Sequence, residues 1–130
     1  MARDRKKADP GLTRRRGAYR SGHAGEFLAA MRLLLTGHRI LARRYRTRVG
    51  EIDLIARRGQ VVAFIEVKKR ADLATGLEAV TPLSRQRIRR AAELFMRRNP
   101  ALSELALRFD VMVITPFPWP RHIVDAWRDS

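Results

Sequence analysis

Gly50-Glu51-Ile52-Asp53-Leu54-Ile55-Ala56 and Val61-Val62-Ala63-Phe64-Ile65-Glu66-Val67-Lys68, separated by Arg57-Arg58-Gly59-Gln60, carry the pattern that decides the fold. Both runs are rich in aliphatic and β-branched residues, have strand length, and are joined by a connection of hairpin length. Alternation along a strand puts Glu51 and Asp53 on one face, and Glu66 and Lys68 together on one face of the next strand. Charges in such apolar company need a partner or a metal. If the two strands pair, the acids converge beside Lys68, an arrangement suited to holding a divalent cation and activating water on a phosphodiester.

Outward from this hairpin, residues 21–36 place Ala24, Phe27, Leu28, Met31, Leu34 and Leu35 at helical spacing, with Gly37 as a stop signal, so a mostly buried first helix is expected. Ile40 to Tyr45 reads as a short strand leading into the acidic pair. Beyond it, Ala74-Thr75-Gly76 reads as loop. Thr81 and Pro82 then have the chemistry of an N-cap and a first helical position, and Ile88, Ala91, Ala92 and Phe95 form one apolar stripe on the helix that follows. Leu107 to Ile114 is a strand, and Ile123 to Trp127 a weaker last one. The expected order is α-β-β-β-α-β-β. Between the last two strands, Pro116-Phe117-Pro118-Trp119-Pro120 is a stiff loop, and both Trp119 and Trp127 are expected to pack, with base stacking as an alternative that no pattern in the sequence supports.

The chain has 130 residues, enough for one α/β core and little more, and residues 1–17 lack apolar periodicity while carrying two basic clusters. The expected organisation is a disordered basic arm over 1–17 and a single domain over 18–130. With no cysteine, disulfides, thiolate zinc sites and thiol catalysis are excluded. A reducing cytoplasm is compatible with this, and no secretory signal is visible. The apolar stretch from Phe27 to Leu35 is too short to span a bilayer and is broken by Arg32, so no membrane span is expected. A net charge of +15 favours a polyanionic partner, nucleic acid first and an anionic membrane surface second.

Asp53, then Glu66 thirteen residues on, one apolar spacer and Lys68 make a set with a specific logic. Two carboxylates bind a hard cation through oxygen, and a lysine polarises the attacking water or stabilises charge on the phosphate. Glu-x-Lys alone is a weak signal that often marks a solvated ion pair. The Glu51-Ile52-Asp53 strand at hairpin distance strengthens it, as does Glu26 in the first turn of an otherwise apolar helix, where the helix dipole favours a carboxylate. The competing account is ordinary salt bridging to the surplus arginines.

Gly25-Glu26, Gly50 to Ala56, Glu66-Val67-Lys68-Lys69-Arg70, Ala79-Val80-Thr81-Pro82 and Arg108-Phe109-Asp110-Val111 together resemble the YraN-like family of small bacterial proteins over about residues 19–127. That family is described as predicted endonucleases of the restriction-endonuclease-like PD-(D/E)xK superfamily, similar to archaeal Holliday junction resolvases. The resemblance implies an α/β fold with an αβββαβ core, its mixed central sheet flanked by helices. It implies a Mg2+- or Mn2+-dependent endonuclease acting on DNA rather than RNA, selective for branched or recombination structures. Asp53 and Glu66 would be the metal ligands, Lys68 the catalytic lysine and Glu26 the helix acid completing the site. Glu51 matches the family's Gly-Glu-Ile-Asp run but not the superfamily's usual proline-aspartate, and stands as an accessory candidate. Where family members carry a lysine-glutamine pair, this chain has Arg85 and Gln86, which leaves both open as the helix residue facing the site. Resolvases of this fold act as symmetric dimers, so a homodimer is compatible. The alternative is a non-catalytic nucleic-acid-binding protein or repair adaptor that keeps the fold.

Arg43, Arg44, Arg46 and Arg48 make a basic patch near the carboxylates in sequence, and Arg85 and Arg89 another on the second helix; these are the candidate phosphate contacts. A structural role is expected for Asp110, accepting from Arg108 or a loop amide. Tyr45 is expected in the core, and His23, His38 and His122 have no ligand-like spacing. If the basic residues bind phosphates, log affinity for DNA falls linearly with log salt. Deleting residues 1–17 makes that slope shallower without abolishing binding, and a flat salt dependence in an anisotropy titration contradicts the assignment.

Overall fold

The computed structural model describes residues 24–128, so the basic arm expected over 1–17 and His23 lie outside the described residues. Among the described residues the chain forms helix α1 (24–35) and strands β1 (Arg39–Arg46), β2 (Glu51–Arg58) and β3 (Val61–Lys69). Helices α2 (Leu73–Glu78) and α3 (Pro82–Arg98), a 3-10 turn at Pro100–Leu102, β4 (Ala106–Ile114) and β5 (Arg121–Trp127) follow. The strands make one mixed sheet in the order β1-β2-β3-β4-β5, antiparallel except between β3 and β4. This is the expected α/β architecture with helices on both faces.

The hairpin closes as its sequence requires. Arg58 pairs with Val61, and Gly59 adopts φ 59°, a conformation open to glycine at little steric cost. β3 returns to β4 in parallel through α2 and α3, because a parallel neighbour needs a long crossover. Thr81 caps α3 by accepting from Ser84 N at 3.2 Å, with Pro82 following at the helix start. Ala74-Thr75-Gly76, expected as loop, lies in the short helix Leu73–Glu78, because Asp72 accepts from Thr75 N at 2.8 Å and satisfies one of its free amides.

Two clusters hold the layers together. On one face Ile88, Ala91, Ala92 and Phe95 of α3 cover Ile55, Val62, Phe64, Phe109 and Val111. Phe64 is fully buried and lies edge-on to Phe95, with ring centroids 6.0 Å apart, and burial of such a ring is worth about 1.5–3 kcal/mol. Tyr45 joins this core against Phe95, as expected. On the other face α1 packs Ala29, Ala30 and Leu33 against Leu54, Ala56, Ala63, Ile65 and Met112.

α1 differs from the expectation in which side it buries. Phe27, Leu34 and Leu35 are mostly exposed and Met31 partly so, whereas Gly25, Ala29, Ala30 and Leu33 face the sheet. The small residues let the helix axis approach the strands closely, which the larger stripe would prevent. Both sheet edges are blunted. β1 carries Arg44 at φ 50° and a register shift between Ile40 and Ala42, and β5 carries Asp125 at φ 57° opposite a shift between Phe109 and Val111. Such irregularities hinder edge-to-edge pairing.

Gly50 is required where α3 meets the start of β2, since a Cβ there would run into the carbonyl of Arg87. Gly50→Ala should lower stability in urea unfolding by about 1–3 kcal/mol, the usual cost of overpacking. An unchanged midpoint would mean that α3 retreats freely.

Candidate active site

At the end of the sheet holding the acidic residues, the paired strands fork. The β2–β3 ladder is regular from Arg58↔Val61 to Leu54↔Ile65. The outer ladders run on, β1–β2 to Arg46↔Glu51 and β3–β4 to Lys69↔Ile114. Val67 N, released from its antiparallel partner, donates to Asp53 Oδ2 at 2.8 Å. The strand divergence thus turns a backbone amide into the group that fixes the Asp53 carboxylate.

Glu66 and Lys68 follow Phe64 at alternate positions on β3, while Val67 between them packs against the α1 cluster. Lys68 Nζ lies 3.2 Å from Glu66 Oε2, with both side chains largely buried, 23% and 14% exposed. Glu66 is pushed from its ordinary 4.5 up to about 7, first by burial, then by the Asp53 charge and a hydrogen bond to Asp53, against which Lys68 acts. The Asp53 and Glu66 side chains are therefore within hydrogen-bond reach of each other.

Glu26, in the first turn of α1, accepts from Arg44 Nε at 2.8 Å. Its carboxyl is raised above the ordinary value, first by burial and then by Asp53, and also by Glu51, while Arg43 and Arg46 oppose the rise. α1 thus brings its acid into the field of the β2 acids. Glu51 itself is more exposed and pairs with Arg46 at 3.3 Å. The site gathers Glu26, Asp53, Glu66 and Lys68, with Glu51 on its rim and Arg43, Arg44 and Arg46 alongside; Arg48 is exposed in the turn between β1 and β2.

Arg85, Gln86 and Arg89 lie along α3 in a groove lined also by Leu83, Trp127 and Arg128, of about 460 Å³. The Arg85 guanidinium stands 5.6 Å from the centre of the Trp127 ring, and Arg89 pairs with Glu93 at 3.6 Å. The α3 residue packed against the start of β2 is Arg87, through its carbonyl at Gly50.

A second polar centre is structural. Asp110, fully buried in β4, accepts two hydrogen bonds from Arg108 Nε at 2.9 and 3.2 Å and one from Arg108 Nη2 at 2.7 Å. It also bonds His122 Nε2 at 2.8 Å and accepts from Asp125 N at 2.9 Å, which holds the irregular turn of β5. Burial pushes Asp110 upward, but these bonds and the Arg108 charge overcome it and the carboxyl is held below its ordinary value. Of the two expected partners Arg108 is present, while the amide that Asp110 accepts from is that of Asp125 in β5 rather than a loop's. The gathering of His38 and His122 around it was not legible, since His38 precedes β1 and reaches Arg108 Nη2 at 3.0 Å only after the sheet forms. Burial and Arg108 hold His38 below its ordinary value, so Nε2 accepts from Arg108 and Nδ1 faces Thr36 Oγ1 at 3.2 Å.

The model of a family described as uncharacterised protein family UPF0102 matches residues 25–114. The chain belongs to the UPF0102 family. This is the YraN family that the motifs resemble. Among UPF0102 relatives, a protein of Mesorhizobium japonicum is 50% identical over 113 residues, 87% of this chain and 90% of its own length. One of Rhizobium meliloti is 47% identical over 121 residues, 93% of this chain and 99% of the relative. Both alignments run well beyond the matched family segment. Among the described residues no helix is long and apolar enough to cross a membrane.

The acid pair sets a pH dependence. Because the native Glu66 holds its proton up to about 7, against 4.5 when unfolded, its contribution to stability is complete below the unfolded value and is lost as pH rises through the native one. In metal-free buffer Glu66→Gln should therefore be more stable than wild type at about pH 8, by on the order of 1–3 kcal/mol, with the gap closing toward about pH 4. Urea unfolding at the two pH values checks this, and a gain that is the same at both would contradict the coupling.

Proposed function

We propose that the chain is a metal-dependent nuclease that hydrolyses phosphodiester bonds in DNA. The observation that carries this reading is the fork between β2 and β3, which brings Asp53, Glu66 and Lys68 together in a desolvated setting with Glu26 in their field. Two adjacent hard carboxylates suit Mg2+ or Mn2+, and Asp53 and Glu66 would hold it. When bound, such an ion supplies an acidified water and positive charge for the phosphate. Among the described residues no three His, Cys, Asp or Glu side chains group closely enough to enclose a metal. Magnesium commonly uses one or two carboxylates and completes its shell with water and substrate phosphate, so Asp53 and Glu66 would be sufficient protein ligands.

The chain's own residues have separable tasks in this reading. Val67 N holds Asp53 in place. Lys68, oriented by Glu66, offers N–H donors to the scissile phosphate or the attacking water. Glu26, itself oriented by Arg44, adds negative potential on the α1 side. Arg43, Arg44, Arg46 and Arg48 give the neighbouring surface the charge to hold a strand, and Arg85 and Arg89 make a separate basic stretch of α3 on the β5 side of the sheet. Selectivity for branched structures, residence in the cytoplasm and assembly as a homodimer belong to the same proposal. Because both sheet edges are irregular, a dimer would use faces rather than strand pairing.

The second reading, a non-catalytic nucleic-acid-binding protein or repair adaptor, would use the same basic surface without the chemistry. Labelled linear, flapped and four-way DNA, incubated with Mg2+ or Mn2+, separates the two. Lys68→Ala should keep affinity within about twofold, since one charge among 28 Lys and Arg is lost, while cleavage falls by about 100-fold or more. Asp53→Asn should abolish both cleavage and the manganese binding seen by calorimetry. Binding without cleavage of every substrate by the wild type assigns the second reading.

A further inference from the structure

The segment between β4 and β5, Thr115-Pro116-Phe117-Pro118-Trp119-Pro120, is built to present two aromatic rings. Its alternating prolines fix their own φ and confine the residues before them to extended conformations. Phe117 N donates to Thr115 Oγ1 at 3.2 Å, and Pro120 is buried, so the segment is anchored at both ends. On this frame Phe117 is 74% and Trp119 40% exposed. Trp119 therefore departs from the packing role expected for it. Trp127 keeps that role, buried and stacked on Phe109 with centroids 5.4 Å apart.

The location gives the exposure a meaning. β4 runs parallel to β3 with Lys68 opposite Val113 and Lys69 opposite Ile114, and Arg70 N donates to Ile114 O at 3.0 Å. The loop thus leaves the sheet at the end where Glu66 and Lys68 lie. From Val113 to Phe117 the chain extends at most about 14 Å, and neighbouring strands are about 5 Å apart. Phe117 stands within about 20 Å of Lys68, a span of roughly five or six nucleotides of a stacked strand.

Lys69, Arg70 and Arg121 are exposed at this end, and no acid occurs from Thr115 to Arg121. The nearby Asp72 is engaged in capping α2. Cations beside exposed rings match a phosphate backbone that carries bases. The three prolines also leave few N–H groups for pairing with another chain's strand.

We propose that Phe117 and Trp119 form an aromatic step that stacks on unpaired bases beside the Asp53, Glu66 and Lys68 site. It selects DNA by structure, because bases inside an intact duplex are already stacked, whereas those at forks, flaps and single strands are free to take an aromatic neighbour. The inference rests on the nucleic-acid reading above and names the contact that would make it selective.

The test measures binding by full-length protein in EDTA, so that cleavage does not consume the probe, at one fixed salt concentration. The probes are a single strand, a forked duplex and a duplex closed by loops of abasic spacers at both ends. Phe117→Ala and Trp119→Ala should each weaken binding to the single strand and the fork by about 5- to 100-fold, the loss expected when a stacked base is given up, and leave the closed duplex within about twofold. Trp119→Phe should retain most of the affinity. Trp119 fluorescence, read as the difference between wild type and Trp119→Phe, should be quenched by the single strand, while Trp127, which lies beside the α3 groove, supplies the signal common to both proteins. Equal losses on all three probes, or none, overturn the aromatic step while leaving nucleic-acid binding intact. Wild type that binds no probe overturns the nucleic-acid reading itself, and a change in sedimentation with either alanine variant assigns the loop to self-association instead.

Discussion

The hydrogen bond from Val67 N to Asp53 Oδ2 is the constraint on which the candidate site depends. Ordinarily an amide at this place in a hairpin would find a backbone carbonyl across the ladder. Here the ladder ends at Leu54↔Ile65, two residues short of Val67, and a side chain takes the amide. The exchange keeps a buried donor satisfied while opening room between two strands that remain paired to their outer neighbours. Into that room projects Glu66, whose carboxyl is displaced upward first by burial and then by the neighbouring Asp53 charge. A fold optimised only for stability would not assemble such a group, and sites that do are where local rules are broken for chemistry.

Asp110 resolves a similar problem in the opposite way. It is more deeply buried than Glu66, yet every direction around it is occupied by a donor, from Arg108, His122 and the Asp125 amide. Burial favours the neutral acid, and fixed hydrogen bonds outweigh it. The consequence is rigidity where β4 and β5 meet, which also sets the strand after the Pro116 to Pro120 loop. One buried carboxylate is satisfied and holds structure; the other pair is left in tension at the fork.

Much of the fold was legible because strong local signals agreed. The hairpin around Gly59, the Thr81-Pro82 helix start and the α3 stripe each follow from residue chemistry within a few positions. The face of α1 was not legible. Both of its stripes are apolar, and periodicity cannot say that Gly25, Ala29 and Ala30 will be buried in preference to Phe27 and Leu34, because the choice depends on how closely the sheet lets the helix approach. Residues 73–78 were missed for a smaller reason, a single Asp72 cap acting on a short segment. Trp119 is exposed because the usual preference of tryptophan for the interior yields to a proline-braced backbone, which no local pattern announces.

For the site, the sequence by itself determined which groups are available: two acids and a lysine at strand spacing, a helix acid upstream, and a basic surplus that invites a polyanion. Those facts are local, since alternation along a strand and composition need no knowledge of neighbours. Only the tertiary structure decided which of these groups meet. The fork that hands Val67 N to Asp53, the placement of Glu26 beside Arg44, the meeting of His38 with Arg108 and of His122 with Asp110, and the shared end of β3 with the aromatic loop all join residues distant in the chain. Such meetings are set by sheet order, strand register and helix docking, which arise from the packing of the whole domain and leave no periodic trace in any one segment.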